Sequence, residues 1–191
     1  MTGRQAKLIS SSMQRRLLAA ARRSATPERN AVIVLLSTKA GLRAGEIAGL
    51  DWSMVLDPRG KVANSIAVEA RIAKRGSGRR IPMHPDLKAA LLKLASMTET
   101  HGPVVRSKRG GAMRANSIVN WFVKIYAELG YAGCSSHSGR RSFITSAARQ
   151  VHKAGGSLRD VQLLAGHRSI AVTQAYIDGD SDAQRRLVAL L

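Results

Sequence analysis

Five side chains in this sequence have the chemistry needed to hold a phosphodiester and to attack it. They are two arginines, two histidines and a tyrosine: Arg43, His137, Arg140, His167 and Tyr176. A guanidinium can donate paired hydrogen bonds to the nonbridging oxygens of phosphate. A phosphodiester under attack gains negative charge, and fixed cations stabilise that charge best where water is excluded. A phenol can supply the attacking oxygen, so the set indicates phosphoryl transfer.

The tyrosine is the candidate nucleophile. An unperturbed phenol has a pKa of about 10, so Tyr176 needs a base or nearby positive charge to attack near neutrality. Most tyrosines are packing residues. Tyr126, which lies in an apolar helical stripe, is predicted to be one of these, and Tyr131 lies in a predicted loop.

The two histidines have different predicted settings. His137 lies three residues before Arg140, so both project from one helical face or its N-terminal turn, where His137 could be a general base or a phosphate ligand. His167 follows Gly166, a predicted helix stop, and could donate a hydrogen bond to a phosphate oxygen. An isolated histidine is usually structural, but its occurrence beside the other residues favours catalysis.

The net charge predicts a polyanionic partner. The chain has 191 residues with 31 Lys and Arg against 12 Asp and Glu, giving +19 and a pI near 11.5. Arginine dominates this surplus, which favours nucleic acid. Aromatic residues make up only 4%, so we expect double-stranded DNA rather than a stacked single strand. The candidate DNA contacts are Arg71, Arg75, Arg79, Arg80, Lys108, Arg109, Arg114 and Arg141. The alternative is that these residues lie in ordinary solvated loops and do not bind DNA.

Other features of the composition argue against a disulfide-bonded protein, a metalloprotein and a membrane-spanning protein. The single cysteine, Cys134, excludes an intrachain disulfide and fits a reducing cytoplasm. No carboxylate cluster or Cys/His spacing suggests a metal site, so we predict catalysis without metal or cofactor. The longest aliphatic run, from Ala31 to Leu36, is far shorter than the roughly 20 residues of a membrane span.

Helical signals dominate and predict a mainly α fold with a small antiparallel sheet. Ser10 and Thr26 are predicted caps, Gly41 a predicted stop, and Arg43 to Leu50 a short helix. Further helices are predicted from Pro85, after a cap at Asn116, and from near Ser138, with buried stripes that include Leu92 and Val123. A capping box at Ser157 and a cap at Ser169 predict two more, the last bearing Tyr176.

In the middle of the chain, the spacing of apolar residues changes from the helical pattern to the alternation that is typical of strands. The segment from Met54 to Leu56 predicts a first strand, and the shared parity of Ile66, Val68 and Ile72 predicts a longer one. Gly76 and Gly78 form a turn into a strand from Arg80 to Met83. We therefore expect about three antiparallel strands inserted in one helical domain.

The motifs around the candidate residues resemble the catalytic domain of tyrosine recombinases, the phage integrase family. They are Gly41-Leu42-Arg43-Ala44-Gly45-Glu46-Ile47, His137-x-x-Arg140, and Leu164-Ala165-Gly166-His167 followed by Tyr176. One such motif would be weak evidence, whereas their order and spacing together are specific. Similarity extends from Ile9 to Tyr176.

The resemblance implies a mechanism. Tyr176 would join DNA through a 3′-phosphotyrosine and free a 5′-hydroxyl, so strands could be resealed without ATP. Lys74 matches the family's hairpin lysine, the general acid for the leaving oxygen, although a solvated lysine is the ordinary alternative. Glu46, one helical turn after Arg43, would orient that arginine.

Two departures from the family pattern stand out. Gly139 and Arg141 flank the second arginine where the family usually has leucine and often histidine. The spacing from His137 favours Arg140 over Arg141 as the catalytic residue, and glycine there is expected to loosen the helix start. The chain also lacks the family's N-terminal domains, which suggests either a single-domain member like the fimbrial phase-variation recombinases or a fragment.

The resemblance also implies assembly on DNA. We expect a homotetramer on two duplexes and weak or no association without DNA, with the segment 180–191 either folded on its own core or docked on a neighbour. Two alternatives to recombination stay open. One is a type IB topoisomerase with similar chemistry, and the other is a noncatalytic DNA-binding regulator on the same fold.

Overall fold

The computed structural model describes residues 6–176 and 188–189. The chain divides into two compact units, with the boundary between Phe143 and Ile144. The described α-helices are α1 (Ser11–Arg22), α2 (Pro27–Lys39), α3 (Ala44–Gly49), α4 (Pro85–Ala95), α5 (Ala115–Glu128), α6 (Ser138–Gln150), α7 (Leu158–Ala165) and α8 (Ile170–Gln174). The strands are β1 (Ser65–Val68) and β2 (Arg79–Pro82). The prediction of a mainly helical fold with a small sheet is confirmed.

Helix α2 is the centre of the first unit. Its residues 30–38 are all buried, which explains why the apolar run in the sequence has no polar face. Helices α1 and α4 both pack against it. The start of α1 follows the predicted cap, because Ser10 Oγ accepts a hydrogen bond from the Met13 amide at 3.2 Å.

Helices α4 and α5 confirm the predicted elements but correct their buried faces. Leu92 and Val123 were predicted to be buried, yet they are 50% and 54% exposed. In α5 the buried stripe is Ile118, Phe122, Ile125 and Tyr126, a spacing of four, three and one residues that keeps one face inward. The same helix begins at Ala115, so the predicted cap at Asn116 is also wrong.

The sheet has two strands where about three were predicted. β1 and β2 are antiparallel, with Ile66 opposite Ile81. The predicted first strand, Met54 to Leu56, does not form, because its first residue ends a 3₁₀ turn, Trp52–Met54. Its cause is local, because the Asp51 carboxylate accepts hydrogen bonds from both the amide and the hydroxyl of Ser53. Leu56 makes an isolated bridge to Val62.

The connection between β1 and β2 is longer than the alternation of apolar residues in the sequence predicted. β1 ends at Val68, and Ile72 lies in the turn that follows rather than in a strand. A 3₁₀ turn, Lys74–Gly76, leads into β2. The hairpin therefore presents Lys74 at its connecting loop.

The second unit contains the end of α6 and then α7 and α8. A 3₁₀ turn, Val151–Ala154, follows α6 and ends at Gly155, which has φ of +71°. The predicted capping box is confirmed, since Asp160 Oδ2 accepts from both the amide and the hydroxyl of Ser157. α7 and α8 pack on each other. The predicted tail, 180–191, lies outside the described residues except at 188–189.

Within the described part of the chain, no helix combines the length and the apolar character that crossing a membrane requires.

Candidate active site

Arg43 is placed by the sharp turn between α2 and α3. Gly41 has φ of +63°, and a Cβ there would lie 2.4 Å from the Phe143 ring, so glycine is required on both counts. Arg43 then occupies the N-cap position of α3. Its side chain is 24% exposed, and its Nη1 donates to Glu46 Oε1 at 2.9 Å.

Glu46 is the buried centre of this cluster. Its carboxylate is 1% exposed and also accepts from the Arg43 amide at 2.9 Å. Arg79 donates to both carboxylate oxygens, from Nη1 at 2.9 Å and from Nη2 at 3.0 Å. Burial alone would raise the pKa of the Glu46 carboxyl, but the hydrogen bonds and charges of Arg79 and Arg43 outweigh it and lower that pKa.

The position of Arg79 corrects its predicted role as a DNA contact. Its side chain is 5% exposed, because β2 turns Arg79 and Ile81 to the inner face and Arg80 to solvent. Both terminal nitrogens of this guanidinium donate to the Glu46 carboxylate, so they are not presented to a DNA phosphate. The parity that Arg79 shares with Ile81 was the sequence signal for this inward orientation.

Arg140 is buried, with 3% of its surface exposed, in the first turn of α6. Its Nη1 donates to the carbonyl oxygen of Gly41 at 2.6 Å. The second arginine is therefore bound to the same turn that leads into Arg43. Arg141 points elsewhere and donates from Nη1 to the Ala6 carbonyl at 2.5 Å, so the two adjacent arginines have different surroundings.

Gly139 allows a close approach of α6 to α2. A Cβ at this position would lie 2.3 Å from Ser37 Oγ and 3.2 Å from Thr38 Cγ2. The glycine lies inside α6, which begins at Ser138. The departure from the usual leucine thus matches a tight helix contact rather than a loosened helix start.

His137 and Lys74 are the exposed candidates of the first unit. His137 immediately precedes α6, and its carbonyl accepts from the Arg141 amide at 2.9 Å. It therefore belongs to the N-terminal turn of the helix. Lys74 begins the 3₁₀ turn of the β1–β2 connection, with its own carbonyl accepting from Ser77 Oγ at 3.3 Å.

His167 and Tyr176 lie in the second unit and contact each other. Their rings stack with centroids 5.5 Å apart and planes inclined by 25°. Gly166 ends α7 with φ of +63°, as predicted, and His167 Nδ1 then lies 2.9 Å from Thr173 Oγ1. Tyr176 lies two residues beyond the end of α8 rather than on the helix. Sequence reasoning missed Thr173, which is fully buried.

The other tyrosines are less suited to nucleophilic attack. Tyr126 is 2% exposed, and burial raises the pKa of its phenol, which disfavours the phenolate. The prediction that Tyr126 is a core residue is confirmed. Tyr131 is half-buried, and its hydroxyl donates to the Met13 carbonyl at 3.4 Å.

Most of the proposed DNA contacts lie on the surface. The exposed residues are Arg71, Arg80, Lys108, Arg109 and Arg114. Arg71 is paired with Glu69 at 2.7 Å, which offsets its charge locally. Lys108 and Arg109 lie on a short loop closed by the bridge between Arg106 and Ala112. The side chain of Arg75 lies outside the described residues.

Across residues 6–176 and 188–189, no group of three or more His, Cys, Asp or Glu side chains is arranged to hold a metal ion. Around Glu46 the structure brings together the guanidiniums of Arg43 and Arg79.

Comparison with known sequences gives consistent matches over most of the chain. The sequence model of the phage integrase family matches residues 7–182. A tyrosine recombinase XerC from Brucella suis biovar 1 is 30% identical over 158 residues, which cover 80% of this chain and 47% of the relative. The XerC of Nitrobacter winogradskyi is 30% identical over 159 residues, covering 81% of this chain and 47% of its own. The chain thus spans about half the length of these curated relatives.

Solved structures share the fold. The XerA recombinase superposes with a TM-score of 0.74 at 24% identity, covering 96% of this chain and 64% of its own. The Tn1549 transposon integrase, in complex with a circular intermediate DNA, gives 0.75 at 18% identity, covering 100% and 67%. A lambda integrase tetramer bound to a Holliday junction gives 0.70 at 20% identity, covering 89% and 47%.

Proposed function

Because the chain belongs to the phage integrase family, we propose that it breaks and rejoins duplex DNA as a site-specific tyrosine recombinase. The observation that carries the proposal is the convergence of two arginines on one turn of the first unit. Arg140 is bound to the carbonyl of Gly41, and Arg43 follows that turn two residues later. Two held guanidiniums can stabilise the negative charge that develops on a phosphodiester under attack.

The arginines supply the electrostatic part of the reaction. Arg43 and Arg140 donate hydrogen bonds to the nonbridging oxygens of the scissile phosphate. Glu46 holds Arg43 from one side while leaving 24% of the Arg43 side chain exposed to a ligand. Fixed donors of this kind need no reorganisation as charge develops on the phosphorus oxygens.

The bond exchange is carried by Tyr176. Its phenolic oxygen attacks phosphorus and forms the 3′-phosphotyrosine bond, while the bond from phosphorus to the 5′-oxygen breaks. His137 accepts the phenolic proton or binds the phosphate, and His167 donates a hydrogen bond to a phosphate oxygen. Lys74 gives a proton to the leaving 5′-oxygen. Reversal of these steps with another 5′-hydroxyl reseals the strand without metal or ATP.

The proposal extends to assembly and location. We place the protein in the cytoplasm, where it acts as a homotetramer on two duplexes and associates weakly without them. The net charge of +19 supports duplex binding. A tetramer on a Holliday junction is known for the structurally similar lambda integrase. The segment 180–191 is the candidate for contact between protomers.

Covalent capture tests the reaction. The protein is incubated with a library of duplexes that carry one nick and are randomised around it, so that cleavage near the nick releases a short fragment and traps the enzyme. We expect a denaturation-resistant adduct, from which the preferred site is sequenced. Tyr176→Phe should bind the recovered duplex but form no adduct, whereas the control Tyr131→Phe should form it normally.

The outcomes separate the candidate functions. An adduct followed by exchange between two labelled duplexes supports recombination. An adduct with relaxation of supercoiled plasmid and no exchange supports topoisomerase action instead. Duplex binding with no adduct from the entire library would contradict both and favour a regulator.

A further inference from the structure

Glu46 connects two parts of the first unit that are distant in sequence. On one side it accepts hydrogen bonds from the amide and the guanidinium of Arg43. On the other side Arg79, 33 residues away, donates to both of its oxygens. The carboxylate is 1% exposed and the Arg79 side chain 5%, so this is a nearly dry, charge-assisted contact.

The geometry at Arg79 depends on a guanidinium. Its two terminal nitrogens reach separate oxygens at 2.9 and 3.0 Å, which fixes both the distance and the plane of the contact. An ammonium is a point charge on a flexible stem and does not reproduce this planar, two-point contact. A buried ion pair often adds no more stability than well-packed apolar residues would, and in some proteins it fixes a specific register instead.

Arg79 also fixes the hairpin that carries Lys74. It is the first residue of β2 and pairs with Val68, the last residue of β1, so it lies where the connecting loop closes. The loop is tight at this end, because a Cβ at Gly78 would lie 3.1 Å from the Ala70 amide nitrogen. Lys74 itself is exposed, so its placement depends on how the hairpin is anchored.

We propose that Arg79 is a positioning residue that acts through Glu46 to hold the Lys74 hairpin in register with Arg43. The inference rests on the proposed function, in which Arg43 binds the scissile phosphate and Lys74 protonates the leaving oxygen. Arg79 touches neither DNA nor the reacting atoms. Its contribution is to set where the general acid lies relative to the phosphate-binding guanidinium.

A DNA duplex with sulfur at the scissile position separates the placement of Lys74 from phosphate binding by Arg43. When the bridging 5′-oxygen at the scissile phosphate is replaced by sulfur, the leaving group is a thiolate. A thiol has a pKa of about 8.5, so it departs without a proton donor. A defect in the delivery of the proton by Lys74 disappears on this duplex, whereas a defect in phosphate binding by Arg43 remains.

The test measures single-turnover adduct formation on matched oxygen and sulfur duplexes. We expect Arg79→Lys to be slower by about tenfold to a hundredfold on the oxygen duplex and close to the unsubstituted protein on the sulfur duplex. Lys74→Ala should show the same rescue, and Arg43→Lys should not. Arg59→Lys, an exposed arginine in a turn, is the matched control.

Equal slowing of Arg79→Lys on both duplexes would overturn the inference, as would normal cleavage of the oxygen duplex. If Arg79→Lys unfolds, Arg79→Gln, whose side-chain amide can still donate to Glu46 and which leaves the contact between Glu46 and Arg43 in place, is measured in the same way. It should retain sulfur rescue, and slowing without rescue contradicts the proposal. Failure of the unsubstituted protein to cleave either duplex would instead refute the proposed function.

Discussion

The two units hold their candidate catalytic side chains by different kinds of contact. In the first unit, Arg43 and Arg140 are fixed by a buried carboxylate and a backbone carbonyl. In the second unit, His167 is held by the hydroxyl of Thr173 and by stacking on Tyr176, and both rings are half-exposed. The first arrangement is ionic and centred on a buried carboxylate, whereas the second consists of a side-chain hydrogen bond and a ring contact between half-buried residues.

This difference matches the chemistry assigned to each unit. Cations that stabilise developing charge act best when their orientation is set before the reaction, and burial among fixed partners provides that orientation. A nucleophile must move toward phosphorus and gain a covalent bond, so rigid burial would hinder it. The contrast predicts that substitutions at the ionic contacts of the first unit affect folding as well as catalysis. Substitutions in the second unit should affect mainly catalysis.

The largest expected effect on stability comes from Glu46→Gln. Removing the carboxylate charge leaves the Arg79 guanidinium buried without its counter-ion, which should lower the free energy of unfolding by about 3–5 kcal/mol. Urea denaturation followed by circular dichroism measures the change. The matched control is Glu69→Gln, which breaks an exposed pair with Arg71 and should cost about 0–1 kcal/mol. Equal losses in both variants would remove the distinction between buried and exposed pairs.

The dependence of stability on pH also tests whether the buried Glu46 carboxylate stabilises the first unit. Because the pKa of Glu46 is lowered from its ordinary value of 4.5 in the folded protein, its contribution is complete above that pH. The contribution is lost as the pH falls below 4.5 through the lowered pKa. The difference in unfolding free energy between the unsubstituted protein and Glu46→Gln should therefore shrink in acid. A difference that stays constant from pH 6 to pH 3 would argue against this origin.

Gly139→Ala probes how closely α6 packs on α2 beside Arg140. Helix propensity favours alanine over glycine by at most about 1 kcal/mol, since Gly139 lies in the first turn of α6. The new Cβ would lie 2.3 Å from Ser37 Oγ, and overpacking costs about 1–3 kcal/mol, so we expect a net loss. Adding Ser37→Ala should recover part of the loss. A rise in melting temperature for Gly139→Ala alone would show that the contact relaxes freely.

Thr173→Val addresses the second unit. Loss of its hydrogen bond to His167 should lower the free energy of unfolding by about 0.5–1.5 kcal/mol and slow adduct formation. Thr38→Val is the matched control, since Thr38 is also buried and donates to the Val34 carbonyl at 2.9 Å. It should lose comparable stability and keep its cleavage rate. Identical cleavage by both variants would mean that Thr173 does not orient His167.

Arg80→Gln should have the smallest effect on folding and a selective effect on binding. Arg80 neighbours Arg79 in β2 but faces solvent. Its removal should change stability by less than about 0.5 kcal/mol. If Arg80 contacts a phosphate, the slope of log affinity against log salt should fall by about 0.9. An unchanged slope in fluorescence anisotropy titrations would exclude that contact.

Local signals in the sequence predicted much of the helical framework. Ser10, Ser157 and Gly166 act within one helical turn, so their residue types suffice to place the caps and the stop. The predicted strand at Met54 failed because Asp51 makes a competing local turn. The exposure of Leu92 and Val123 could not be read from an apolar residue type alone, since many apolar side chains remain at the surface.

The sequence predicted which residues belong to the candidate site, but it did not predict all the contacts between them. The sequence indicated that Glu46 orients Arg43, and the structure brings the two together. It did not indicate that Arg79 and the carbonyl of Gly41 complete the cluster, because those contacts join residues 33 and 99 positions apart. The positive charge of the hairpin also led to the prediction that each of its arginines contacts DNA at the surface. The alternation of β2 assigns Arg79 and Arg80 to opposite faces.

We propose that the guanidinium charge of the first unit acts on the phosphate that Tyr176 attacks. A duplex with a methylphosphonate at the scissile position tests it directly, because one nonbridging oxygen is replaced by methyl and the diester is neutral. We predict that Arg43→Ala forms no adduct on the ordinary duplex but forms one on the neutral duplex, mapped by mass spectrometry to Tyr176. Equal inactivity of folded Arg43→Ala on both duplexes, or an adduct at another residue, would contradict the account.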